Sequence, residues 1–255
     1  MTEYTLPTTG GTAQFDILDA PVLSDILALQ EAARAALPAE ARALFQPLGT
    51  AFFQNLLTRQ TGLMIGIRKD NKLIAQMGLV GPMELREAVA LHIITDNDIV
   101  FSHAALTDSV IIFKGLSTHP SWRSDDLEKS LVSYALGLPF CQVIGHVFAQ
   151  APVGDKSHWN AFATQGFGIV AAAYDAKDSR SRFIFQKPAF GFDFSPAIIA
   201  DDVDPVLDFP AIINLTQREA LVGIYEEGST TRLAFFRNRE VLNIMPTLAK
   251  VESHK

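Results

Sequence analysis

The 255-residue sequence predicts a mixed α/β fold, α+β in stricter usage: one sheet with helices on its faces. Three observations lead there. Apolar residues recur at helical spacing over residues 21–37 and again over 41–56. Two apolar runs then flank "KDNK", the pattern of a β-hairpin over 62–80 turning tightly at Asp70-Asn71. Finally, "SVIIFKGLST" (109–118) is a near-continuous apolar run, as a central strand requires.

Each element follows from local pattern. Residues 1–14 are polar, contain Gly10-Gly11, and are expected to form a loose arm. Val22, Ile26, Leu29, Ala33 and Leu37 mark the first helix. Pro38 opens a second, carried by Ala41, Leu44, Phe45, Leu48, Phe52 and Leu56, with Pro47 and Gly49 kinking or splitting it. After the 62–80 hairpin, "MELREAV" fits a helical turn, and "AVALHIIT" with "DIVFSHAAL" fits a second hairpin around "DND". The strand 109–118 is followed by a helix over about 125–138, marked by Leu127, Leu131, Tyr134, Ala135 and Leu138. "CQVIGHVFAQ" (141–150) reads as a strand, 156–165 as a short helix, and 167–173 and 181–187 as strands around "DAKDSRS". From residue 188 prolines and aspartates mark an irregular connector. "EALVGIYEEGSTTRLAFFRN" then reads as a hairpin turning at Glu227-Gly228. The expected organisation is an arm (1–14), a domain (15–188) and a C-terminal extension (189–255), without internal repeats.

Composition narrows the function classes. Apolar residues make up 48% of the chain, enough for a sizeable core. A net charge of −7 argues against a nucleic-acid partner, which calls for a basic face. No run approaches the roughly 20 apolar residues of a membrane helix. The N-terminal stretch lacks the basic-then-apolar pattern of a signal peptide, so a cytoplasmic protein without a membrane partner is expected. The single cysteine, Cys141, excludes an internal disulfide and a Cys-x-x-Cys knuckle, and reads as a buried structural thiol. No His-x-x-x-His pair suggests a metal, and no Gly-x-Ser-x-Gly elbow suggests a hydrolase.

Two stretches carry chemistry. "VIIFKGLSTHPSWRSDDLEKSLVSYAL" runs strand, turn, helix. "DKSHWNAFATQGFGIV" is a short helix closed by Gly166-Phe167, with an aromatic, Phe162, four residues before the glycine. On these stretches, and on the hairpin "GIRKDNKLIAQMGLVGP", residues 21–187 resemble the GNAT superfamily of acyl-CoA N-acyltransferases. The resemblance implies a mixed, mostly antiparallel sheet; the β-rich C-terminal extension lies outside it. The resemblance also implies acetyl-CoA or another acyl-CoA as co-substrate, and an amine of a small molecule or peptide as acceptor. The amine would attack the thioester directly in a ternary complex.

In such a site a pantetheine arm lies between two splayed strands, and the pyrophosphate sits at a helix N-terminus, where free N–H groups and the dipole favour an anion. By resemblance, the backbone of Leu116, Ser117 and Thr118 holds the arm. Arg123 and the amides of Ser124, Asp125, Asp126, Leu127, Glu128 and Lys129 hold the pyrophosphate. The sequence departs from the family's Arg/Gln-x-x-Gly-x-Gly/Ala motif: Asp126 and Glu128 replace its glycines, and like charge opposes a phosphate there by about 1 kcal/mol per pair even in high dielectric. Phe162 stands where the family often has a tyrosine acid, and Asp155 where it has a helix-opening asparagine. Glu84, with Glu87 beside it, and His146 are the candidate bases. His119, at the turn, is a candidate ligand contact; His158 reads as a surface residue near the pantetheine end, with ligand contact as the alternative, and Tyr134 as a substitute acid that its spacing assigns to packing. Two further expectations stay open: a non-catalytic binding or regulatory protein on the same fold, and an acyl-homoserine-lactone-type synthase. The extension would continue the sheet, roof the acceptor cleft or form a homodimer contact.

Overall fold

A computed structural model describes residues 2–6, 11–39, 42, 47–90, 104–123, 125–152, 156–175, 180–189, 221–227 and 230–236. Its sheet has ten strands: β1 (Thr2–Thr5), β2 (Thr12–Leu18), β3 (Gly62–Lys69), β4 (Lys72–Glu84), β5 (Ser109–Thr118), β6 (His146–Pro152), β7 (Gly168–Asp175), β8 (Arg180–Pro188), β9 (Leu221–Glu227) and β10 (Thr230–Phe236). In space they run β1-β2-β3-β4-β5-β6-β8-β7-β9-β10. Every neighbouring pair is antiparallel except β5–β6, which is parallel. The mixed, mostly antiparallel sheet expected from the sequence is therefore present.

The helices are α1 (Leu23–Ala35), α2 (Thr50–Leu57), α3 (Leu85–Ala90), α4 (Asp125–Leu136), α5 (Pro139–Gln142) and α6 (Lys156–Ala163). Alternation along the strands divides the core between the two faces. Ile111 and Phe113 share one cluster with Leu131 of α4 and Phe162 of α6. Val110 and Ile112 share the other with Ile26 of α1 and Phe53 of α2. In α1 the buried Ile26, Leu29 and Ala33 keep the helical stripe, and Gln30 exchanges two hydrogen bonds with the backbone of Leu48 (2.8 and 3.1 Å). The β3–β4 hairpin turns at Asp70-Asn71, both at positive φ (49° and 62°), the geometry of a two-residue hairpin turn.

Three expectations are corrected. Thr2–Thr5 is an edge strand paired with β2, not a loose arm; its two threonines and tyrosine have high strand propensity. Cys141 does not begin a strand. Pro139 sits in the first turn of α5, where its fixed φ favours helix, and β6 starts only at His146. The helix expected to reach 138 ends at Leu136, where Gly137 follows. Cys141 is buried, and burial pushes its thiol from 9.0 up to about 12. In the extension, β9 and β10 continue the sheet beyond β7. Residues 91–103, with the expected hairpin and His103, and the connector 190–220 lie outside the described residues. Among those described, no helix is long and apolar enough to cross a membrane, and no His/Cys/Asp/Glu group suits a metal ion.

Candidate functional site

Two parallel strands define the site. The β5–β6 ladder holds residues 110–113 against 146–149. β5 then runs on to Thr118 and β6 to Pro152 with no further pairing between them. The cause lies in β5. Between the pairs Gln76↔Ser117 and Gly78↔Lys114, β5 has two residues where β4 has only Met77. Such a bulge bends its strand and sharpens the local twist. Gly115 supplies the required φ of +71°, and a Cβ there would stand 2.8 Å from Leu48 Cδ1.

Beyond β5 the chain turns tightly. His119 N donates to Ile74 O (2.8 Å), and His119 Nδ1 accepts from Ser121 N (3.3 Å), capping the 3-10 turn Pro120–Trp122. Lys69, next to the β3–β4 turn, places its Nζ 4.2 Å from the centre of the Trp122 ring. α4 begins directly after this turn, so its N-terminus lies by the open end of the strand pair.

α6 closes the gap from the other side. His158 Nε2 lies 3.1 Å from Leu116 O; a carbonyl only accepts, so Nε2 carries the proton. Ser157 Oγ donates to Glu128 Oε2 on α4. Glu128 is only 2% exposed, as is Thr118, whose Oγ1 finds no partner among the described residues. Trp159 Nε1 donates to Pro152 O (2.9 Å) and fixes α6 to the end of β6. Gly166, at φ +80°, ends the helix with its N–H on Ala163 O (3.0 Å). Phe167 then packs on Phe162, which also meets Phe185, each at a ring separation of 5.4 Å.

This topology has known counterparts. No family model matches the chain, and no curated protein matches it. Solved structures do. An N-acetyltransferase from Staphylococcus aureus Mu50 superposes with a TM-score of 0.51 at 9% identity, covering 70% of this chain and 99% of that one. A GNAT-family acetyltransferase from Streptococcus agalactiae 2603 superposes with a TM-score of 0.50 at 14% identity, covering 73% and 98%. The chain has the GNAT fold.

Within that fold β5 and β6 pair only over 110–113 and 146–149, α4 follows the turn after β5, and α6 follows β6. Leu116, Ser117 and Thr118 lie on the part of β5 that does not pair with β6, and Glu128 reaches the first turn of α6. Leu127 is core. Glu128 occupies the motif's second glycine position and points inward at α6 rather than out to water. Asp126 is exposed and lies 4.0 Å from Lys129 Nζ. Asp125 opens α4, and Ser124 and Asp155 lie outside the described residues. Arg123 donates from Nη2 to Ala33 O (3.2 Å), at the negative end of α1, so its guanidinium already has an acceptor. Phe162 is buried in the aromatic cluster, and Tyr134 stacks on Phe15 at 4.5 Å.

Glu84 and His146 lie elsewhere. Glu84 pairs with Ser109 and His146 with Val110, at the paired end of the β5–β6 ladder, roughly 25 Å along β5 from Ser117. Glu84 forms an ion pair with Arg86, while Glu87 is exposed on α3. His146 Nε2 faces Asp108 Oδ2 (3.3 Å) and its Nδ1 faces Gln186 Nε2 (3.1 Å), so both ring nitrogens are engaged. The gap residues that sequence reasoning undervalued are Ser157 and His158. Their signal was helical arithmetic: His158 is one turn before Phe162 and shares its face.

Proposed function

We propose that this chain is an acyl-CoA-dependent N-acyltransferase that acetylates an amine of a small molecule or peptide by direct attack in a ternary complex. The observation that carries this reading is the early end of the β5–β6 ladder, with the Gly115 bulge that causes it. An extended arm bearing amides can substitute for the missing strand, as peptides do at sheet edges. The backbone at 116–118 and the buried Thr118 hydroxyl offer it partners. Arg123 and the first-turn amides of α4 would hold the pyrophosphate, provided Glu128 turns aside. In the reaction the amine nitrogen forms a bond to the acyl carbon, the carbon–sulfur bond breaks, and the thiol leaves with a proton. Neither candidate base is free of partners: Glu84 is ion-paired with Arg86 and both ring nitrogens of His146 are engaged, so either would have to exchange a partner for the amine.

One observation favours a second reading, a GNAT-fold protein without acyl-CoA chemistry. The buried Glu128–Ser157 contact sets a carboxylate where the family motif keeps a glycine. Thermal unfolding with and without acetyl-CoA separates the two. Ligand at about 100 times its dissociation constant adds roughly 2.7 kcal/mol to stability. No shift with acetyl-CoA or any longer acyl-CoA would remove the enzyme and leave the second reading.

A further inference from the structure

The open half of β5 is bridged by the protein's own groups. In a continuous sheet the Leu116 carbonyl would take an N–H from the next strand. β6 has parted from β5 by that point, and the N–H comes from His158 Nε2 instead. The adjacent residue, Ser157, holds the buried Glu128 of α4. The first turn of α6 is thus fastened at two points, to β5 and to α4. Resting on the acyltransferase reading, we propose that Ser157 and His158 form a latch over the donor gap, opened when an amide N–H of the pantetheine arm takes the Leu116 carbonyl from His158. His158 is then a stand-in for the donor: it satisfies the carbonyl in the free protein and competes with the arm for it. The two fastenings act on different parts of the donor. His158 opposes the arm, whereas Glu128 opposes the phosphates.

The test is calorimetric titration of the full chain with CoA and with pantetheine, which has the arm but no phosphates. His158→Ala removes the competing N–H and should bind both ligands roughly three- to tenfold more tightly than wild type. His158→Gln restores an N–H donor and should return affinity toward wild type. Glu128→Ala should tighten CoA more than pantetheine. Unchanged or weaker binding by a folded His158→Ala protein would overturn the latch. If that variant does not fold, the imidazole nitrogen resonances of wild type carry the test. Saturating pantetheine should shift the His158 Nε2 signal and speed its proton exchange, and an unmoved signal overturns the proposal. Equal CoA affinity in all forms sinks the latch alone. Absence of CoA binding in every form, Glu128→Ala included, sinks the acyltransferase reading and the latch with it.

Discussion

Glu128, buried on α4, accepts a hydrogen bond from Ser157 at the start of α6. A buried carboxylate left without its partner costs more than the bond itself contributed. Ser157→Ala should therefore lower stability by about 1–3 kcal/mol in urea unfolding. Replacing both groups, Ser157→Ala with Glu128→Ala, should recover much of that loss. A double variant as unstable as the sum of the singles would show that the two side chains are not coupled.

The same carboxylate governs phosphate affinity. Asp126→Gly with Glu128→Ala removes two negative charges from the first turns of α4. Each like-charge pair opposes a phosphate by about 1 kcal/mol in high dielectric and by more when water is excluded. CoA binding should tighten at least tenfold, with a weaker salt dependence, in a titration repeated at several ionic strengths. Looser binding would place the pyrophosphate elsewhere.

Gly115 holds the bend in β5. An alanine there must adopt φ near +71° and press on Leu48 Cδ1. Gly115→Ala should cost about 1–3 kcal/mol. It should also reduce binding of any ligand that needs the gap, because relief of the strain straightens β5 toward β6. Leu48→Ala in the same background should restore part of the stability, since it removes the atom that the new Cβ meets.

Cys141 makes a pH prediction. Burial raises its thiol from 9.0 to about 12, so the folded state keeps a proton that the unfolded state loses. Stability from this group is intact below pH 9.0 and falls as pH rises from there toward about 12. Cys141→Ala should flatten that decline in alkaline unfolding series. A disulfide reagent at neutral pH should react at the rate of unfolding rather than at that of a free thiol.

Much of the frame was legible because its signals are local. Asp70-Asn71 between two apolar runs specifies a hairpin, and the unbroken run 109–118 specifies a strand covered on both sides. Gly166-Phe167 marks a helix end. What escaped was set by partners distant in sequence. Thr2–Thr5 becomes a strand only because β2 offers it an edge. Glu128 sits on a helix whose first turn is acidic, and only its packing against Ser157 shows that it faces inward while Asp126 faces water. His158 looks like a surface residue until the bend at Gly115 frees the Leu116 carbonyl beside it.

The short parallel junction also bears on how the molecule opens. From β1 to β5 each strand pairs with its sequence neighbour, and β6, β8 and β7 form a second antiparallel group. Residues 110–113 and 146–149 are the whole of the ladder between these groups. Native-state hydrogen exchange should resolve the sheet into two cooperative blocks, with the amides of that ladder reporting their separation. A donor wedged into the gap would then act on the seam between two folding units, so its binding should show as changed protection along both sides of that seam.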